Sequence, residues 1–249
     1  MHKLEGKTAL ITGGSSGIGL ATALLFQAEG ARLAITGRSA ESLQPAGQLL
    51  GGQALLIPSD AADLRSVTQL MTEVAGALGG LDILILNAGV ALPAPLDATS
   101  EEQFDATVDT NFKGVFFAIQ KALPLLRPGA SVIVTTSITN QLGSPNFSIY
   151  AACKAALRSL VASLALELIP RQIRLNAVSP GPIATPMFDR FGLPAEPSQA
   201  IKAQIQAKSP ISRFGSPDEI AKVNLFLASD DSSYIVGEEI IVDGGMSLL

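Results

Sequence analysis

The chain has 249 residues, room for one domain of ordinary size or two small ones, with 47% hydrophobic and 16% charged. That is enough apolar material for a sizeable core, so wholesale disorder is excluded. With 17 Lys and Arg against 22 Asp and Glu, the net charge is −5, which disfavours nucleic acid or an anionic membrane surface as the main partner. No charge-free, mostly apolar stretch of about eighteen residues is evident, so no membrane span is expected. The N-terminus lacks the apolar run of a signal peptide, and one cysteine, Cys153, cannot form an internal disulfide. Both point to a reducing cytoplasm. The single histidine is His2. A Ser-His-Asp hydrolase, a Cys-His protease and a His-rich metal site all need an interior imidazole, so no metal site is expected. Acid–base work falls to Tyr, Lys, Asp or Glu.

In chain order, short apolar runs alternate with helical patterns. Strands are expected at 7–12, 32–36, 54–57, 81–86, 130–137, 173–178 and 239–242. Helices are expected at 18–29, 63–78, 101–126, 150–169 and 218–228. Near-continuously apolar strands separated by helices predict one parallel sheet covered on both faces, an α/β doubly wound architecture. No linker or internal repeat interrupts it, so 1–249 reads as one domain. The segment 179–209 breaks the rhythm with Pro180, Pro182, Pro186, Pro194 and Pro197. An irregular insertion after a strand's C-terminal end is where such a protein places a substrate lid, here 181–210; a surface excursion is the alternative. Met187, Phe188, Phe191 and Leu193 in that lid hint at a hydrophobic substrate.

Between the first strand and helix lies Thr12-Gly13-Gly14-Ser15-Ser16-Gly17-Ile18-Gly19. Glycines let backbone approach a phosphate, and a helix N-terminus offers unpaired N–H groups to it. Other doubly wound binders also carry such a turn. The second strand ends Thr36-Gly37-Arg38-Ser39. A carboxylate there would grip both ribose hydroxyls of NAD. Arg38 instead suits a 2′-phosphate, which favours NADP(H) over NAD(H); an ordinary solvated cation is the other reading.

Tyr150 and Lys154 are four residues apart in a helical pattern and so share a face. A nearby ammonium favours the phenolate, and the expectation is a phenol of lowered pKa. Ser137, at the end of the fifth strand, faces the ligand crevice of an open sheet and is placed to hold a substrate oxygen. The helix from Tyr150 is apolar on most faces, which predicts burial on more than one side, one against the sheet and another against a second subunit; burial within the monomer is the alternative.

Taken in order, these features resemble the short-chain dehydrogenase/reductase family over essentially the full length. The matching residues are 12–19, Asp60 after the third strand, Asn87-Ala88-Gly89 after the fourth, Asn111, Ser137, Tyr150 and Lys154, and Pro180-Gly181. The resemblance implies a Rossmann fold and a catalytic tetrad of Asn111, Ser137, Tyr150 and Lys154. It implies cofactor contacts at Gly13, Ser15, Ser16, Gly17, Ile18, Gly19, Arg38, Asp60, Ala61, Asn87, Ala88 and Gly89. Tyr150, Lys154, Pro180, Gly181, Ile183 and Thr185 complete that set. It also implies a homo-oligomer, dimer or tetramer. The expected activity is hydride transfer between NADP(H) and a ketone or secondary alcohol. An NAD-dependent dehydrogenase, an epimerase or dehydratase, and a non-catalytic nucleotide sensor are the alternatives.

Overall fold

The computed structural model describes residues 2–191 and 195–249. In chain order its main elements are β1 (Thr8–Thr12), α1 (Gly17–Ala28), β2 (Arg32–Gly37), α2 (Ala40–Leu49), β3 (Leu55–Pro58), α3 (Leu64–Leu78) and β4 (Leu81–Leu86). They continue with α4 (Glu101–Val108), α5 (Gly114–Ala122), β5 (Leu126–Thr135), α6 (Ser148–Leu168), β6 (Arg174–Pro180), α7 (Ala195–Lys208), α8 (Pro217–Ala228) and β7 (Glu239–Val242). The strands form one sheet of order β3-β2-β1-β4-β5-β6-β7, with every pair parallel. The expected seven-stranded Rossmann architecture is therefore present.

Alternation along the central strands builds two cores. Leu10, Leu84, Val132 and Leu175 face α3, α5 and α6 through Val67, Ile119 and Leu157. Their neighbours Ile11, Ile85, Ile133 and Val178 face α1, α2 and α8 through Phe26, Leu43 and Leu225. The central strands, buried on both faces, are mostly apolar, which makes the runs readable, although polar side chains such as Asn176 and Ser179 are buried in β6. The chain order reverses between β1 and β4, and this switch point opens a crevice at the strands' C-terminal ends.

Three expectations on elements need correction. The helix expected over 101–126 is α4, a π-turn at Asp109–Lys113 and then α5, and Leu126 starts β5. Pro124 explains the early stop, since a proline cannot continue the helical hydrogen-bond ladder. Strand β5 ends at Thr135, so Ser137 lies two residues past it. The segment 179–209 is not irregular throughout, because α7 occupies much of it. Pro197 falls in the first turn of α7, where its missing N–H has no intrahelical partner to lose. Leu193 of the expected apolar lid lies outside the described residues. The stretch 148–171, with a mean hydropathy of 1.4, is long and apolar enough to cross a membrane by length and composition, but it carries Lys154, Arg158, Glu167 and Arg171 and is not charge-free. In the fold, Leu157, Val161, Ala165 and Leu168 of this helix are buried in the core beside β6.

Candidate active site

The glycine turn between β1 and α1 is held from β4. Asn87 Nδ2 donates to the carbonyls of Thr12 and Gly13, each at 3.2 Å. The Thr12 hydroxyl oxygen accepts the backbone N–H groups of Asn87 and Ala88 at 3.0 and 3.1 Å. Gly19 packs so closely under the turn that a Cβ there would sit 2.2 Å from the Gly13 oxygen. Gly17 has φ +55°, a conformation that favours glycine, and a Cβ there would lie 3.2 Å from Thr185 Cγ2. The turn thus brings Gly13, Gly17, Gly19, Asn87, Ala88 and Thr185 together. Ser15, Ser16 and Ile18 are part-exposed on it, and Ser16 is the α1 N-cap without a side-chain cap bond. No acidic residue lies in the first turn of α1, which leaves its N-terminus suited to a pyrophosphate. This backbone cradle, whose floor a side chain would fill, fits a dinucleotide.

Further along the crevice, Ala61 and Ala88 line a small cavity with Thr12, Thr36 and Ser59. Asp60 beside it is exposed, and its Oδ1 accepts from Ala62 N at 3.0 Å. Arg38 is exposed at the end of β2, with no hydrogen bond or ion pair among the described residues. Glu41, in the first turn of α2, is held below the usual carboxylate range by a hydrogen bond from Ser39 and by its own backbone N–H. On the far side, Gly181 N donates to Val242 O at 3.0 Å, fixing the chain after Pro180. Ile183 is buried and bridges to Gly215.

The reactive side chains gather where β4, β5 and α6 meet. Tyr150 and Lys154 lie on one face of α6, with Lys154 Nζ 5.5 Å from the phenol ring centroid. Lys154 is buried and donates to the Thr135 carbonyl at 2.7 Å. The Tyr150 hydroxyl is hydrogen-bonded with Ser137. The Ser137 oxygen also accepts the Thr139 hydroxyl at 3.0 Å. Asn111 sits in the π-turn, fully buried, where its side chain clamps Val90 by Oδ1 accepting at 2.9 Å and Nδ2 donating at 2.8 Å. A Cβ on Gly89 would lie 2.8 Å from Asn111 Oδ1 and 3.9 Å from Lys154 Nζ, so the Asn87–Gly89 loop passes directly over both.

The electrostatics differ from the expectation. Burial pushes the Tyr150 phenol up to about 12, against the Ser137 hydrogen bond that pulls it down. Burial also pushes the Lys154 ammonium down to about 8. The ammonium stands over the ring and spends a proton on the Thr135 carbonyl, so desolvation wins over charge attraction. At neutral pH the pair is a protonated phenol above a cation. Sequence reasoning missed the residues that anchor this arrangement, Val90, Thr135 and Thr139, and gave Thr12, which anchors the glycine turn, no role of its own. Only Thr12 carried a signal, as the residue that opens the glycine turn. Among the described residues no cluster of His, Cys, Asp and Glu could hold a metal ion.

Comparison with known proteins agrees with this geometry. A family model described as "Enoyl-(Acyl carrier protein) reductase" matches residues 13–247. A 3-oxoacyl-[acyl-carrier-protein] reductase of Thermotoga maritima is 38% identical over 98% of this chain and 99% of its own. A glucose 1-dehydrogenase of Gluconobacter oxydans is 36% identical over 99% of this chain and 94% of its own. Among solved structures, a short-chain type dehydrogenase/reductase from Mycobacterium marinum superposes with a TM-score of 0.90 at 35% identity, covering 98% of this chain and 97% of the other. A short-chain dehydrogenase from Burkholderia cenocepacia, solved in complex with NADP, gives 0.89 at 36% identity, covering 98% and 99%. With its sheet order, its glycine cradle and relatives that match from end to end, the chain belongs to the short-chain dehydrogenase/reductase family of oxidoreductases.

Proposed function

We propose that the chain interconverts a ketone and a secondary alcohol with NADP(H) as cofactor. The observation that carries this reading is the Tyr150 hydroxyl, hydrogen-bonded with Ser137 on the helix face that buries Lys154. The nicotinamide, when bound, supplies or takes the hydride. Gly13, Ser15, Ser16, Gly17, Ile18 and Gly19 hold the pyrophosphate end. Arg38 meets the 2′-phosphate, and Asp60, Ala61, Asn87, Ala88 and Gly89 line the adenosine side. Pro180, Gly181, Ile183 and Thr185 take the nicotinamide end. In reduction, Ser137 holds the carbonyl oxygen and Tyr150 gives that oxygen its proton. The phenolate left behind is favoured by the Lys154 cation. Asn111 keeps the loop at Val90 in place against Lys154. With its pKa pushed up to about 12, the phenol is protonated at neutral pH and so starts in the form from which a proton can be given in reduction.

The proposal extends to the whole chain as one catalytic domain, with 181–210 as its lid. Phe188 packs edge-on against Phe214 at 5.4 Å beside part-buried Met187, which supports a hydrophobic carbonyl substrate. Ala152, Ala155, Ala162 and Leu166 of α6 are exposed, Leu166 to 71%, which supports pairing with a second copy. We place the enzyme in the cytoplasm, as a homotetramer or dimer. The second reading, preference for NAD(H), draws on the carboxylate of Glu41 at the α2 N-terminus.

The test is turnover of NADPH and NADH against ketones of graded size, with Tyr150→Phe as the control. Loss of the proton donor is expected to lower kcat by about 10³ while leaving the NADPH Kd unchanged. A Tyr150→Phe enzyme with near-normal kcat overturns the role. Sedimentation as a monomer at micromolar concentration overturns the assembly.

A further inference from the structure

Outside the residues already given roles, a buried polar cluster lies behind Ser137. At its centre is Glu239, the first residue of β7. Its side chain is only 6% exposed. Oε1 accepts from two groups, the Thr136 hydroxyl at 2.5 Å and Asn140 Nδ2 at 2.7 Å. The Thr136 hydroxyl has one proton and also lies 3.0 Å from Val178 O, so the carboxylate is the nearer acceptor and the charged one. Arg158 Nε approaches Oε2 at 3.2 Å as an ion pair, but off the hydrogen-bonding direction, so Oε2 has no hydrogen-bond partner. The Arg158 side chain is 54% exposed. The carboxylate is buried and its counter-charge is half in solvent, an arrangement that costs desolvation and is a weak device for stability alone.

The two acceptor contacts fall at the two ends of one five-residue turn, Thr136-Ser137-Ile138-Thr139-Asn140. Inside that turn Asn140 N donates to Ser137 O at 3.0 Å, and the 3₁₀ segment Ile138–Asn140 closes it. Ser137 is therefore suspended between two residues that share one carboxylate oxygen. Thr139, also in the turn, donates its hydroxyl to Ser137 Oγ and so occupies a lone pair of that oxygen. The Ser137 O–H is left to be aimed, and the direction it takes depends on the turn's position.

We propose that Glu239 is a positioning residue for the reaction, a latch from β7 that fixes the Ser137 turn against Tyr150. Glu239 touches neither Ser137 nor Tyr150 and acts through Thr136 and Asn140. The inference rests on the proposed carbonyl–alcohol chemistry at Ser137 and Tyr150. It adds a residue 99 positions from Asn140 in the chain to the determinants of that chemistry.

The experiment uses the full chain with NADPH and the best ketone of the panel. Misplacing a substrate-holding group by about 1 Å lowers turnover by up to 10². Glu239→Ala is accordingly expected to lower kcat by at least about tenfold, with the NADPH Kd unchanged. Glu239→Gln keeps an acceptor oxygen and is expected to recover to within about threefold of the starting enzyme. In a Ser137→Ala background the Glu239→Ala change is expected to cost nothing further, because its target is gone. A strut without a positioning role would weaken both backgrounds equally, and that result overturns the proposal. So does a wild-type kcat in Glu239→Ala. If that variant fails to fold, Asn140→Ala, which cuts one arm and leaves the ion pair, is held to the same two criteria. Amide exchange across 136–142 gives an answer independent of activity. It is expected to quicken about tenfold in Glu239→Ala, and unchanged exchange overturns the latch. Should the wild type reduce no ketone, the proposed function fails, and exchange still decides whether the latch exists.

Discussion

The two rims of the crevice are made in opposite ways. The rim after β1 is built from what is missing. Glycines without Cβ atoms let the turn lie against Asn87 and Ala88, and its hydrogen bonds are to backbone. The rim after β5 is built from what is buried. Lys154, Asn111 and Ser137 are all withdrawn from water, and each is tied by a specific polar partner. The first rim needs close approach and tolerates no added volume. The second carries charge into the interior and bears a desolvation cost that shows in the pKa of Lys154 and of Tyr150. A phosphate seat needs only donors and space, whereas a proton donor needs a fixed environment, and the proposed function draws the two from different rims.

Filling the first rim is expected to have the largest effect. Gly19→Ala would place a methyl 2.2 Å from the Gly13 carbonyl oxygen. The Gly13 backbone cannot rotate away, and the other near neighbour, Asn87 Nδ2 at 2.7 Å, is the amide that holds the turn. The expected cost is on the order of 3 kcal/mol of stability together with loss of NADPH binding. Chemical denaturation and NADPH fluorescence titration check both. Retained binding at wild-type stability would mean that the first rim accepts added volume and is not set by close approach.

The second rim is sharpened by pH. The Lys154 pKa falls from 10.5 to about 8 on folding, so between these values the unfolded chain binds the proton and the folded one does not. Stability contributed by this group therefore rises with pH across that window, by on the order of 2 kcal/mol from about pH 8 to 10. Tyr150 has the opposite sign, since its pKa rises on folding from 10.0 to about 12, so its contribution is lost only above pH 10. Lys154→Met is expected to abolish the rise between pH 8 and 10 relative to wild type. Denaturant melts of both proteins across that range are the measurement. Parallel curves would mean that the ammonium is solvated and that the second rim carries no buried charge.

The same division explains what could be read from the sequence. Leu10, Ile11, Leu84 and Ile85 are legible because a strand buried on both faces has few polar positions. The glycine turn and the Tyr150–Lys154 spacing are legible because their geometry is local. Asn111 and Asp60 came through resemblance and not through spacing. The failures involve long range or competition. Helix α2 was not among the expected elements, and Pro45 inside it argues locally against a helix that capping by Ser39 and burial of Leu43 and Ala46 nonetheless sustain. Leu126 reads as helix because nothing local says that it pairs with Leu81. The sign of the Tyr150 shift was missed because one charge four residues away is visible in a sequence and the burial that outweighs it is not. Glu239 has no local signal, since its partners Thr136 and Asn140 come from another strand's end.

The smallest effects belong to the edge of the first rim, where the proposed function puts the choice of cofactor. Arg38→Ala removes the one positive group at the end of β2 and is expected to raise the KM for NADPH about tenfold, with little change for NADH. Glu41 works against Arg38. Its carboxylate accepts from Ser39 and from its own N–H at the start of α2, so a negative group already satisfies the donors that a 2′-phosphate would approach. Both groups are exposed, and solvent and salt screen them. Glu41→Gln is therefore expected to lower the KM for NADPH by about two- to threefold, leaving that for NADH unchanged, and to lose this advantage as salt is raised. Steady-state kinetics with both cofactors at low and high ionic strength reads the effect. Equal shifts for the two cofactors would mean that Glu41 acts on the helix and not on the phosphate. The edge would then be governed by packing, like the glycines beside it, and not by charge.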